Sequence, residues 1–258
     1  MKKRLFAILF ALGMLGVLSL LLIDLAAVTA LAPEQMRAEA PPITLSLKLV
    51  TLVQPTVLLA LSVLIGVRLA HPVGLAAPFA DALAAGNGNA GAALKRQLVP
   101  GIVCGLVGGI SIVVVFLLFK PLLLPETVAR VIQFGTLMPW PTRLLYGGIT
   151  EELLLRGGFM TLLVWLAWSL IQRRRRDPSR ATFIGAILFS SLLFGIGHLP
   201  IVFFLFPRVE PVLIVYVILA NSIFGLIAGY LYWKKGLESA MLAHMFAHVV
   251  LLAVGDRL

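Results

Sequence analysis

GIVCGLVGGISIVVVFLLF, running from Gly101 to Phe119, is nineteen residues long and carries no charge. Wound as a helix at 1.5 Å per residue it reaches roughly 28 Å, close to the ~30 Å hydrocarbon core of a bilayer. A backbone amide left unpaired in hydrocarbon costs several kcal/mol, so a run like this crosses lipid only as a helix. Working outward, runs of similar character extend from Leu5 to Ile23, Ile43 to Leu69, Arg143 to Ile171, Ala181 to Phe206, Val212 to Trp233 and Leu237 to Val254. The expected fold class is therefore all-α, a polytopic transmembrane helix bundle of about seven spans. Pro200 predicts a bend in the fifth. Pro121 to Trp140 is apolar but broken by Pro125, Glu126, Arg130 and Pro139. It reads as a lid lying in the interface, or as an eighth, re-entrant span. The stretch from His71 to Gln97, with Gly86-Asn87-Gly88-Asn89, reads as a flexible loop. With no internal repeat and no soluble segment, residues 1–258 form a single membrane domain.

Composition agrees. Of the 258 residues 60% are hydrophobic and 12% charged, more apolar surface than a water-soluble domain can bury. The net charge of +10 is scattered in short clusters between apolar runs, which excludes a nucleic-acid face and points to orientation signals. The clusters at Lys2, Lys3, Arg4, Arg68, Lys95, Arg96, Arg173 to Arg176, Arg180, Lys234 and Lys235 outweigh those on the other side, at Arg37, Lys120, Arg130, Arg143, Arg208 and Arg257. The positive-inside rule then places the N-terminus in the cytoplasm and the C-terminus outside. The Arg173–Arg176 run is an inner anchor. The N-terminal run resembles a signal peptide but is too long for one, and reads as an uncleaved first span. Cys104, the single cysteine, is a small packed side chain.

Ionisable groups inside a membrane cost several kcal/mol unless paired or working. Glu151, Glu152 and Arg156 lie in the fourth span, His198 in the fifth, and His244 and His248 in the seventh. Counted from the span ends, Glu151, His198, His244 and His248 sit roughly 12–18 Å below one boundary. Glu152 and Arg156 are i,i+4 neighbours and can pair. Glu151 points about 100° away around the helix and is free to face the bundle interior. A free carboxylate beside imidazoles in a low-dielectric cavity suits hydrolysis, with the carboxylate drawing a proton from water and an imidazole or metal stabilising the oxyanion.

Glu151-Glu152-Leu153-Leu154-Leu155-Arg156 resembles the EExxxR motif of the CAAX-protease and bacteriocin-processing family of intramembrane proteases. Phe194-Gly195-Ile196-Gly197-His198 resembles its FxxxH motif, and His244 opens its third motif, HxxxN or a variant. The resemblance covers a core from about 143 to 254. It implies an endopeptidase acting on membrane-embedded or lipidated proteins or peptides, in a bacterial-type plasma membrane. Carried over, Glu151 would activate water, His198 would help to position it, His244 would stabilise the oxyanion, and Arg156 would hold Glu152. His248 departs from the family's usual asparagine. His248 could donate in its place, or Asn221 could supply the amide. The cofactor is either none or Zn2+, the latter held by His198, His244 and His248 with water in the fourth position. Two other classes stay open: a non-catalytic scaffold or bacteriocin-immunity protein of the same family, and a proton-coupled transporter.

Four smaller expectations complete the reading. Asp24 and Lys48 either pair or reach to an interface. Gly105, Gly108 and Gly109 form a close-packing surface. Trp140, Tyr146, Tyr232 and Trp233 belong to interface belts. His71 has no role.

Overall fold

A computed structural model describes residues 1–86, 88–174 and 177–255. Asn87, Arg175, Arg176, Asp256, Arg257 and Leu258 lie outside the described residues, so the basic anchor can be placed only through Arg173 and Arg174. Among the described residues there is no strand, and seven helices are long and apolar enough to cross a membrane. They are Lys2–Leu22, Leu45–Leu69, Ala90–Leu122, Trp140–Ile171, Arg180–Leu205, Pro211–Lys234 and Leu237–Val254. The protein is an integral membrane helix bundle.

The third span illustrates how each helix divides its faces. Val103, Val107, Ile110, Val114 and Leu118 recur at helical spacing and are exposed. In water such a stripe would be a severe liability; in lipid it is simply solvated. On the opposite face Gly105, Gly108 and Gly109 are buried against Ala243, Phe224 and Val250, where any Cβ would collide. The expected small-residue surface is what lets the sixth and seventh spans approach this closely.

The fourth span lies at the centre, packed by the first, second, fifth and seventh. It is wound largely as π-helix, over Arg143–Glu151, Leu153–Met160 and Ala167–Ile171. This widening was not legible in the sequence, and it replaces the ideal helical angle expected between Glu151 and Glu152. Hydrogen bonds fix its N-terminal half to the first span: Thr142 donates to the Ser19 carbonyl at 2.8 Å and Thr150 to the Gly13 carbonyl at 2.7 Å. Polar bonds of this kind hold helices together where lipid offers no hydrophobic drive.

Several expectations are corrected. The supposed loop from His71 to Gln97 contains a helix, Pro78–Ala85, and the third span already starts at Ala90. Gly86, at φ 68°, closes the short helix in the left-handed region. Within this segment His71 is engaged, its Nε2 lying 3.0 Å from Asp81. The fifth span breaks at Gly197–His198, just before Pro200, which sits in the first turn of the segment Leu199–Leu205 where no amide partner is lost. Asp24 shows no pairing with Lys48; exposed just past the end of the first span, its carboxylate caps the helix Leu25–Ala30 by accepting from Ala26 and Ala27. Tyr232 is buried at 2% exposure, its hydroxyl 2.8 Å from that of Thr161, so it is a core residue. Trp140, at 63% exposure, does face outward.

The segment expected as a lid is a helix, Pro125–Leu137, too short to span. Val128 joins Leu31, Phe116, Val202, Leu205 and Leu213 in an apolar cluster of its own at this end of the bundle. Thr127 donates to Glu210 at 2.5 Å, and Arg130 donates to the carbonyls of Leu31 and Leu205. Arg143 donates to the Gly135 carbonyl in the lid's last turn.

Candidate active site

Arg156 and Glu152 are both fully buried, a costly placement unless every charge is answered. Arg156 Nη1 donates to Glu152 Oε1 at 3.2 Å, the expected i,i+4 pair, and Nη2 donates to the Gly225 carbonyl on the sixth span at 2.9 Å. The guanidinium also lies 5.1 Å from the centroid of the Phe194 ring, from the fifth span. One side chain thus ties three helices.

Glu152 Oε1 accepts a second bond, from His244 Nδ1 at 2.9 Å. That contact crosses from the fourth span to the seventh. It assigns the Nδ1–H tautomer to His244 and leaves Nε2 as the free nitrogen. Nε2 lies 4.0 Å from Glu151 Oε2. The two adjacent carboxylates therefore differ in kind. Glu152 is 0% exposed, with Oε1 held by both Arg156 and His244; Glu151 is 21% exposed and meets the open space.

That space is a cavity of about 270 Å³, lined by Glu151, His198, Asn221, His244 and His248 together with apolar side chains such as Phe194 and Phe224. Glu151, His198 and His244 come from three spans, and the structure brings them to one chamber. Glu152 and Arg156 do not line it; they stand behind it. His198 sits in the break of the fifth span, its Nδ1 2.8 Å from the Phe194 carbonyl, so Nδ1 donates and Nε2 is left as an acceptor. Asn221 donates to the Val217 carbonyl at 2.8 Å, keeping one further N–H.

A second cavity, of about 360 Å³, adjoins the first through Ile112, Val131, Tyr216 and Leu251. Its wall includes the lid residues Val131 and Ile132, and its charged group is Arg143. Together the two chambers run under the lid between the third and seventh spans. Arg143 and Tyr216 went unremarked as site residues in the sequence, where one looked like a loop charge and the other like a span residue.

His248 stacks on His244, with ring centroids 4.9 Å apart and planes 12° apart. A zinc ion lies in the plane of each imidazole it binds, about 2.0–2.1 Å from the nitrogen. Among the described residues no group of three His, Cys, Asp or Glu side chains is arranged to hold a metal. The three-histidine site of His198, His244 and His248 does not fit this arrangement.

The stack rests on Gly147, where an added Cβ would stand 2.5 Å from His248 Nε2. Gly147→Ala is expected to lower stability by about 1–3 kcal/mol through overpacking. Gly185→Ala, which meets nothing within 4 Å, should be neutral or mildly stabilising. Thermal unfolding of both variants in detergent checks this; equal midpoints would contradict the packing described.

Comparison with known proteins adds one finding. Residues 133–250 match the family described as type II CAAX prenyl endopeptidase Rce1-like. The matched stretch holds all six residues singled out in the sequence, and the lid's last turn. No curated protein and no solved structure matches the chain.

Proposed function

We propose that this chain, whose residues 133–250 match the Rce1-like family of type II CAAX prenyl endopeptidases, is an intramembrane endopeptidase using a glutamate-activated water without a metal. Glu151 takes the proton from a water that His198 Nε2 helps to hold. The hydroxide attacks the peptide carbonyl, and the oxyanion is stabilised by N–H donors at the cavity wall. Asn221 has one to spare, and His248 takes the family's asparagine position. His244 Nε2, close to Glu151, accepts or returns the proton to the leaving amine. Glu152 and Arg156 orient the group rather than react. The reading is carried by one observation: Glu151 is the carboxylate left exposed to a chamber it shares with His198 and His244, while its neighbour is buried and held by Arg156 and His244.

The substrate is a lipidated or membrane-embedded peptide, since the Glu151 chamber, walled mostly by apolar side chains such as Phe194, Val202, Leu213 and Phe224, suits a hydrocarbon chain or an apolar segment better than a soluble peptide. Loop charges put the N-terminus inside and the chamber toward the outer face, in a plasma membrane of bacterial type. The catalytic core runs from about 143 to 254 within one membrane domain.

The test is proteolysis by the purified chain in liposomes. A peptide ending in a lipidated cysteine and a single-span peptide are offered beside their soluble counterparts. Cleavage of a membrane-held peptide is expected, and it should persist unchanged after dialysis against a strong chelator. Loss on chelation with recovery on adding zinc would overturn the metal-free mechanism. A biological activity indifferent to Glu151 would favour a scaffold instead.

A further inference from the structure

We propose that the cleft between the start of the first span and the end of the second binds the headgroup of an anionic phospholipid. The cleft, about 300 Å³, is lined by Lys2, Lys3, Phe6, Leu64, Val67 and Arg68. It lies at the opposite end of the bundle from the lid. Three cations from two helices meet there, and all three are exposed.

Most telling is what neighbouring cations do. Arg174 lies 5.3 Å from the Trp165 ring and donates to Ser169, and Lys234 lies 3.4 Å from the centroid of Trp233. Lys2, Lys3 and Arg68 have no ion-pair, hydrogen-bond or aromatic partner among the described residues. A cavity that gathers three unanswered positive charges fits an anion.

Depth selects a lipid over a free anion. The two spans run in opposite directions, so Phe6 lies one turn beyond Lys2 and Leu64 one turn before Arg68. Each helix therefore puts its cation at the rim and its apolar side chain about 6 Å deeper. A phosphate at the rim and acyl chains along Phe6, Leu64 and Val67 match both levels at once. Basic pockets between spans at the inner surface bind anionic headgroups by this combination. The site is independent of the proteolytic chamber.

The experiment is native mass spectrometry of the full chain taken from nanodiscs of phosphatidylcholine containing phosphatidylglycerol. A phosphatidylglycerol molecule should be retained in preference to phosphatidylcholine. Removing charge as Lys2→Gln with Lys3→Gln and Arg68→Gln should weaken retention by about fivefold per cation. Because those changes also touch orientation signals, Leu64→Trp serves as a second variant that fills the floor with all charges kept. It should lose the lipid equally well, while Arg173→Gln with Arg174→Gln should not. Equal loss in the Arg173/Arg174 control, or full retention in Leu64→Trp, would overturn the site. Displacement by soluble glycerol phosphate at the same concentration as lipid would identify a free-phosphate site and overturn the lipid assignment.

Discussion

Replacing Glu151 by glutamine is expected to abolish cleavage while leaving the protein inserted and folded. The amide keeps nearly the same shape and can still face His244, but it cannot take a proton from water. General-base catalysis is worth about 10²–10⁴ in rate, so activity should fall by at least that factor. Stability should hold, because Glu151 carries none of the buried hydrogen bonds that tie the spans together. His198→Ala should reduce the rate in the same assay through loss of the water's second partner. Normal turnover in Glu151→Gln would remove this carboxylate from the chemistry and with it the proposed mechanism.

Arg156→Met should have the largest effect on stability. Removing the guanidinium leaves the Glu152 carboxylate fully buried with only His244 to answer it, and strips the Gly225 carbonyl of its donor. Breaking a buried pair from one side costs about 3–5 kcal/mol, enough to lower expression and the thermal midpoint in detergent sharply. The double variant Glu152→Gln, Arg156→Met leaves no uncompensated charge and should recover much of that loss. Its cleavage should stay low, since a neutral amide holds the His244 ring less firmly than a carboxylate. If the single variant is as stable as the unaltered protein, the pair is not the clamp that the geometry indicates.

Glu152 illustrates where sequence reading stops. Its i,i+4 spacing to Arg156 is a property of one helix, and the pair could be read directly. Its bond to His244 crosses between residues ninety-two positions apart, and no local pattern reports it. The same holds for Tyr232, which looks like an interface aromatic until the fourth span brings Thr161 to its hydroxyl. The cap made by Asp24 was missed for a different reason: the first span ends at Leu22, and the carboxylate is claimed by a helix too short to leave a hydropathy signal. The helix Pro78–Ala85 was missed because its glycine-rich sequel looked like a loop, although Gly86 is the residue that ends it.

Seven long apolar runs settled the membrane bundle before any coordinate was known, because hydrocarbon offers backbone groups no partner and each run must satisfy its own. The paired motifs likewise marked which residues share a depth. Only the packed structure decided that His244 reaches across to Glu152, that the rings of His244 and His248 stack, and that the fourth span unwinds to π geometry at the site. Those outcomes depend on which side chains neighbouring helices press together, and that is fixed by contacts between distant parts of the chain.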